Sequence, residues 1–451
     1  MSVKLKSNLE TTFAGLKFRS PIGVGAVGRP EGANLTPELH AEVLLKHADA
    51  GVGYIYLPTC SYATKESIEK VKAVAKPDKV KPKFPPGTRT MKAVTSGTGY
   101  GIEGMYTLVT HPAWMTVERD AQEIEHSLQV VDIIQNKKPK DLVLIANTRG
   151  YGFIPDTYVD AAKFWEAHGA DMIEVNLSCP AQPSMSGAVE DYFEETYSTR
   201  FPGAIVGQIP HLVEDITREV VKVVKIPVGI KLSPETGFPA IVGMAKRVRD
   251  AGAKFISLFN CAVTIAPPDI YNHGKSPYPF LDDNAFSGGT GSYLRMICYK
   301  DVAAIARFVP GIDITAAGGI VAPEHCIEMM MLGARQVQIT TGMMEQGRGL
   351  LRRCNSFLGK FMAEQGYRST EEIIGLGQKH IKYLDELDMS AGKVKQVTDE
   401  EKCTNCGICA DQICTVRYME DGKLKVNDAN CTGCGSCTVS CRQNAIRMIK
   451  I

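Results

Sequence analysis

The chain has 451 residues, 44% hydrophobic and 22% charged, the composition of a globular protein with a sizeable core. Lys and Arg number 51 against 50 Asp and Glu, a net charge of +1 that gives no support for a nucleic-acid or membrane-surface partner. No apolar run approaches the roughly 18 residues of a membrane span, and the opening MSVKLKSNLETTFAG has no apolar signal region, so a cytoplasmic location is expected.

Along the first 390 residues, short apolar segments rich in β-branched residues alternate with helical patterns. The predicted strands are PIGVGAV (21–27), GYIYL (53–57), DLVLIAN (141–147), DMIEVNLS (171–178), PVGIKLS (227–233), KFISLFN (254–260), DITAAGG (313–319) and RQVQITTG (335–342). Segments such as YVDAAKFWEAHGA and VAPEHCIEMMMLGA space their apolar residues as helices do. Near-continuous apolar strands separated by helices indicate parallel strands covered on the outside. Eight of them predict an α/β fold, a (β/α)8 TIM barrel, over residues 1–392. An open doubly wound sheet would carry a Gly-rich turn after the first strand with an acid about 20 residues on, whereas Gly23 and Gly25 lie inside the predicted strand itself.

Two insertions exceed ordinary loop length. Residues 60–115 are basic and rich in Pro and Gly, and residues 184–204 are acidic and aromatic. Each follows a strand, which predicts decoration, a lid or a docking surface at the C-terminal rim. STEE (369–372) reads as a capping box opening an outer-ring helix, and KVKQVTDE before residue 400 reads as a polar connector.

Cysteine density marks the second domain, 393–451: six cysteines are scattered before residue 400, and eight fall between Cys403 and Cys441. CTGCGSCTVSC is C-x2-C-x2-C-x3-C, and CTNCGICADQIC differs only by one more residue before its last cysteine. Three thiolates at a spacing of three wrap one face of a cubane, and the fourth of each run reaches to the other cluster. The expected ligand sets for two 4Fe-4S clusters in a ferredoxin-like domain are Cys403, Cys406, Cys409 and Cys441, then Cys431, Cys434, Cys437 and Cys414. Structural zinc would instead need paired ligands. Gly407, Gly433 and Gly435 let backbone approach the sulfurs.

Clusters pass single electrons, whereas most organic substrates take a hydride and a proton; a flavin joins the two regimes, so the barrel is expected to bind one. AAGGI (316–320) and TTGMM (340–344) end the seventh and eighth strands, where barrels commonly cradle phosphate, and Gly318, Gly319 and Gly342 offer backbone N–H groups there. Lys231 interrupts an apolar strand, which favours a positive charge beside the flavin over a surface lysine.

NLSCP, IKLSP, Asn260, SGGTG (287–291), AAGGI and QITTGMM together resemble the FMN barrels of the dihydroorotate and dihydropyrimidine dehydrogenases. With the two-cluster tail, the likeness is to the iron–sulfur pyrimidine-reducing subunits of bacterial NAD-dependent dihydropyrimidine dehydrogenases. The resemblance implies FMN contacts at Gly25, Ala26, Lys231, Gly288, Gly289, Gly318, Gly319, Thr341 and Gly342. It also implies that Cys179 is the general acid/base, protonating one carbon of an activated C=C bond while hydride adds to its neighbour. A thiol pKa of about 8.5 suits that cycling. Substrate contacts are implied at Asn176, Asn260, Cys261 and Asn147, the asparagines pairing with a cyclic amide.

The chain departs from the family pattern around the substrate. Cys261 stands where the family has threonine, Asn147 is displaced towards its strand, and Pro58 occupies a lysine position. Arg149, Tyr151 and Tyr62 could replace the altered contacts, and an arginine suits a carboxylate. Two alternatives stay open: the same ene reduction on another activated ring or unsaturated carbonyl, and an electron-transfer subunit with an inert Cys179. No G-x-G-x-x-G follows one of the eight predicted strands with an acidic residue placed downstream for a ribose, so electrons are expected from a separate FAD- and NAD(P)H-binding flavoprotein subunit or a ferredoxin, in a homo- or hetero-oligomer.

Overall fold

Eight short apolar segments form parallel strands: β1 (Ile22–Val24), β2 (Tyr54–Tyr56), β3 (Val143–Thr148), β4 (Met172–Asn176), β5 (Val228–Lys231), β6 (Phe255–Leu258), β7 (Asp313–Ala317) and β8 (Gln336–Ile339). They close in sequence order into one barrel, β8 pairing with β1. The computed structural model describes residues 8–26, 35–57, 61–74, 92–96, 105–110, 117–179, 203–277, 282–284, 286–388, 394–412 and 414–451. The chain divides into two compact units, Met1–Lys379 and His380–Ile451, so the division falls ahead of the expected boundary at 392.

Strand alternation sorts the barrel residues. Outward side chains such as Ile22, Ile55, Leu144, Ile173, Ile230 and Val337 are buried against the surrounding helices. Four of those helices, Pro37–Ala48, Pro155–Ala167, Pro210–Val223 and Pro323–Met331, start at a proline, whose missing N–H costs nothing in the first turn. Inward, Tyr54, Tyr56, Val143, Ile145, Met172 and Phe255 fill the lumen, joined by Phe13 and Phe18 of an N-terminal hairpin, Thr11–Phe13 with Leu16–Phe18. Gly23 and Gly229 make room for this filling: a Cβ on either would lie 2.3 Å from the ring of Tyr54 or Phe255.

The basic insertion is not wholly a loop. It holds the helix Lys65–Val74 and two strands, Lys92–Ser96 and Met105–Thr110. Those strands join Phe286–Gly291 and Ala262–Ile265 in a four-stranded antiparallel sheet. Most of the acidic insertion, together with Pro58 and Cys60, lies outside the described residues. The STEE capping box is present, with Ser369 N donating to Glu372 Oε1 at 3.2 Å. It opens only a 3-10 turn, Thr370–Glu372, in place of the expected helix. The amides of Gly375 and Gly377 donate to Met330 O and Met331 O, so the chain crosses the end of the helix Pro323–Met331 and does not coil. Among the described residues no helix is long and apolar enough to cross a membrane.

In the second unit, the stretch read as a connector is a strand. Val394–Thr398 pairs antiparallel with Ile446–Lys450, and Arg417–Glu420 forms a hairpin with Lys423–Val426. A short helix, Ser436–Ser440, lies within the second cysteine motif.

Candidate active site

At the C-terminal end of the lumen the filling turns from aromatic to polar. The register sets Asn176 beside Lys231 and Asn147 beside Glu174, and all four side chains are buried. Glu174, fully buried, is the hub. Its Oε1 accepts from Asn147 Nδ2 at 2.5 Å and faces Lys231 Nζ at 3.7 Å. Its Oε2 accepts from the Tyr56 hydroxyl at 2.5 Å, from Ser257 Oγ, and from Gln338 Nε2 at 3.4 Å. A buried carboxylate persists only when a cation and hydrogen bonds replace its water, and here five strands supply them. Burial and the adjacent Glu174 charge push the Tyr56 phenol well above the usual range, so it stays a donor.

Above the hub three asparagines are linked. Asn176 Nδ2 donates to Asn147 Oδ1 and Asn260 Nδ2 donates to Asn176 Oδ1, both at 3.3 Å. Ser178 N and Oγ each donate to Asn176 Oδ1 at 3.2 Å, and Cys261 N donates to Asn260 Oδ1 at 2.8 Å. The structure thus gathers Asn147, Asn176 and Asn260 at one end of the lumen, with Cys261 next to Asn260. Cys179, partly exposed, follows the same strand three residues after Asn176, and its carbonyl accepts from Ala204 N at 3.1 Å. Cys298, Cys326 and Cys354 are buried in the shell between strands and helices. Arg149 is buried just past β3, 5.9 Å from the Tyr151 ring centroid. Tyr62 stacks on Phe164 of an outer helix, with ring centroids 4.5 Å apart.

The rim after β7 and β8 fits an anionic group. Gly318 and Gly319 have φ of +157° and +67°, and among the described residues their amides donate to no acceptor. Thr341 Oγ1 lies 2.7 Å from Thr290 Oγ1, tying the SGGTG strand to the end of β8. Gly288 and Gly289 are buried within that strand, where a Cβ on Gly289 would lie 2.6 Å from Thr264 Cγ2 and the Tyr293 hydroxyl. A Cβ on Gly25 would lie 2.5 Å from Thr340 Oγ1, and one on Gly342 only 2.1 Å from Ile320 O, so the strand ends meet closely. Ala26 packs against the lumen cluster.

In the second unit a cavity of about 220 Å³ is lined by Cys403, Cys406, Cys409 and Cys441, with Gly407 and Ile408. Its size and its four sulfurs fit a cubane, although among the described residues no three of His, Cys, Asp or Glu are already drawn together around one metal position. The Ile408 N–H holds Cys406 below the ordinary thiol range, and the Ser436 hydroxyl does the same for Cys434, which favours thiolates at equivalent places in the two motifs. Gly407, Gly433 and Gly435 have φ from +72° to +80°. Cys431 and Cys414 are partly exposed, and Cys437 is buried.

Sequence reasoning missed Glu174, Tyr56, Ser257 and Gln338. The signal for Glu174 was available: an acid inside an apolar strand, in phase with Asn176, is as anomalous as Lys231.

This fold and polar lumen belong to a known class. The dihydroorotate dehydrogenase family matches residues 120–362, and the chain belongs to that family, one of flavin-dependent oxidoreductases acting on CH–CH bonds. Over 409 residues it is 26% identical to the NAD-dependent dihydropyrimidine dehydrogenase subunit PreA of Escherichia coli K12, covering 90% of this chain and 85% of that one. It is 31% identical over 237 residues to the dihydroorotate dehydrogenase B (NAD(+)) catalytic subunit of Methanothermobacter thermautotrophicus, 52% of this chain and 69% of that one. A ligand-free DHODH structure from Eimeria tenella superposes with a TM-score of 0.56 at 16% identity, covering 85% of this chain and 94% of that one. That last likeness is one of fold.

Proposed function

We propose that the chain is an FMN-dependent iron–sulfur oxidoreductase that reduces, or reversibly oxidises, the activated C=C bond of a pyrimidine-like cyclic substrate. The observation that carries this reading is the linked set Asn147, Asn176 and Asn260 over the buried Lys231–Glu174 pair. Amide side chains present a donor and an acceptor each, the complement of a cyclic amide edge. Gly25, Ala26, Lys231, Gly288, Gly289, Gly318, Gly319, Thr341 and Gly342 would hold FMN, the last four at its phosphate. When bound, FMN supplies hydride transfer and the exchange between two-electron and one-electron chemistry.

The chain's own residues do the rest. Glu174 holds the Lys231 side chain in place. The asparagines fix the plane of the substrate ring, and the Cys179 thiol delivers a proton to one carbon of its double bond. In the reverse direction the thiolate takes that proton back. The cavity lined by Cys403, Cys406, Cys409 and Cys441 suits one 4Fe-4S cluster, and Cys431, Cys434, Cys437 and Cys414 would bind the second. The relative PreA is by its name a subunit. A flavoprotein subunit binding FAD and NAD(P)H, or a ferredoxin, is the proposed electron partner, the former making a hetero-oligomer. Fourteen cysteines used as thiols and ligands suit the reducing cytoplasm.

A second reading keeps the chemistry and changes the ring. Arg149, buried just past β3, favours a substrate that carries a carboxylate.

The test begins with anaerobic preparation, which should yield FMN and about eight irons per chain, two cubanes of four. The reduced protein is then mixed with uracil, thymine, carboxylated pyrimidines and unsaturated cyclic carbonyls, and its reoxidation followed. Cys179→Ala should slow reoxidation by the best substrate by about 10²–10⁴-fold, the usual weight of a positioned proton donor. An unchanged rate would leave the barrel as an electron relay, and a preparation holding zinc alone would overturn the whole scheme.

A further inference from the structure

Arg417, which opens a strand of the second unit, is 2% exposed. A guanidinium keeps its charge in any protein environment, so this is a buried cation that needs an anionic counterpart. Among the described residues no carboxylate pairs with it. Its Nη2 donates to Gln396 Oε1 and to Thr398 Oγ1 at 3.1 Å, both neutral, and its Nε has no acceptor. Its Nη1 donates to Cys409 Sγ at 3.4 Å. The same guanidinium lies within reach of the Cys437 sulfur. Cys409 and Cys437 are the third cysteines of the two motifs, and both are buried in one small cluster with Ile446.

Resting on the two-cluster reading above, we propose that Arg417 is the counter-charge shared by both clusters, a single fork that reaches a ligand sulfur of each and raises both reduction potentials together. Uptake of one electron adds one negative charge behind the Cys409 or the Cys437 sulfur. A cation at hydrogen-bond distance in a buried site favours that extra charge. Because the same guanidinium faces both sulfurs, the two couples are held close to each other and electrons pass between them without a large drop. Arg417 is on this account a positioning residue that acts through sulfur ligands.

The experiment uses the full-length protein, prepared anaerobically and reduced stepwise in the presence of mediators. The reduced clusters are followed by electron paramagnetic resonance, with iron counted in every sample. In Arg417→Gln both midpoints should move to lower potential by about 59 mV or more, a tenfold change in each one-electron equilibrium. Iron content should be unchanged. An arginine that merely ties strands together would alter the melting temperature and leave both midpoints in place, and that result overturns the proposal. Should the glutamine variant fail to retain iron, Arg417→Lys decides. Its compact ammonium can sit against only one sulfur, so at least one midpoint should fall, and two unmoved midpoints would overturn the shared fork. Wild-type protein without iron would instead remove the two-cluster reading itself, an outcome separate from either variant's result.

Discussion

Glu174 and Lys231 illustrate how much a single buried pair can organise. Lys231 was legible because a lysine interrupts an apolar strand, and Asn176 because it sits in NLSCP. Glu174, two residues before Asn176, was passed over because a strand motif draws the eye to its loop end. Yet its carboxylate gathers Tyr56, Asn147, Ser257, Gln338 and Lys231 from five strands. Contacts between residues so far apart in sequence are not written in any local pattern. Glu174→Ala would leave a buried ammonium uncompensated and several donors unpaired, and should lower the stability of the barrel by about 3–5 kcal/mol. Glu174→Gln keeps acceptor capacity for some of those donors and should cost less. Urea unfolding followed by circular dichroism ranks the two variants, and an alanine variant as stable as wild type would show that the hub holds nothing together. Flavin retention should fall in the same order, since Lys231 loses what anchors it.

At the scale of elements, the barrel strands could be read because each is covered on both faces and so forms an apolar run. The sheet of Lys92–Ser96, Met105–Thr110, Phe286–Gly291 and Ala262–Ile265 could not, since its two strand pairs lie far apart in sequence and include SGGTG, which is poor in β-formers. Val394–Thr398 looked polar because, among the described residues, it pairs with one strand alone, Ile446–Lys450. The turn after β7 gives this scale its prediction. Gly319 has φ +67°, and a Cβ there would lie 2.8 Å from both Arg295 Cβ and Ser292 O. A left-handed alanine alone costs about 1–2 kcal/mol, and the contact with Ser292 is with backbone that has little room to yield. Gly319→Ala should therefore lower the melting temperature and weaken FMN binding by tenfold or more in a fluorescence titration. Wild-type affinity in that variant would remove the Gly318–Gly319 turn from the phosphate cradle.

For the molecule as a whole, the two units differ in what holds them folded. Met1–Lys379 owns a continuous apolar core around a closed barrel. His380–Ile451 belongs to the size range in which a core by itself supplies only about 3–5 kcal/mol. Its buried cluster is Cys409, Cys437 and Ile446, with Leu424 and Cys441 packed alongside. Three of those five are proposed cluster ligands, so the residues that should stabilise the unit are the ones that bind iron. Without the metal, the thiols that line the cavity would be left together, with Cys409 against the buried Arg417 charge. Ligand binding and folding are then the same free energy. Oxidising and chelating the iron from the intact chain should erase the melting transition of the second unit and leave that of the barrel nearly unchanged. Amide exchange offers the sharper reading. The amides that join Val394–Thr398 to Ile446–Lys450 should lose their protection on iron removal, while those of β3 and β4 keep theirs. Protection that survives in the second unit would show a core able to stand without iron. The cysteine motifs would then have been placed on a scaffold that folds by itself.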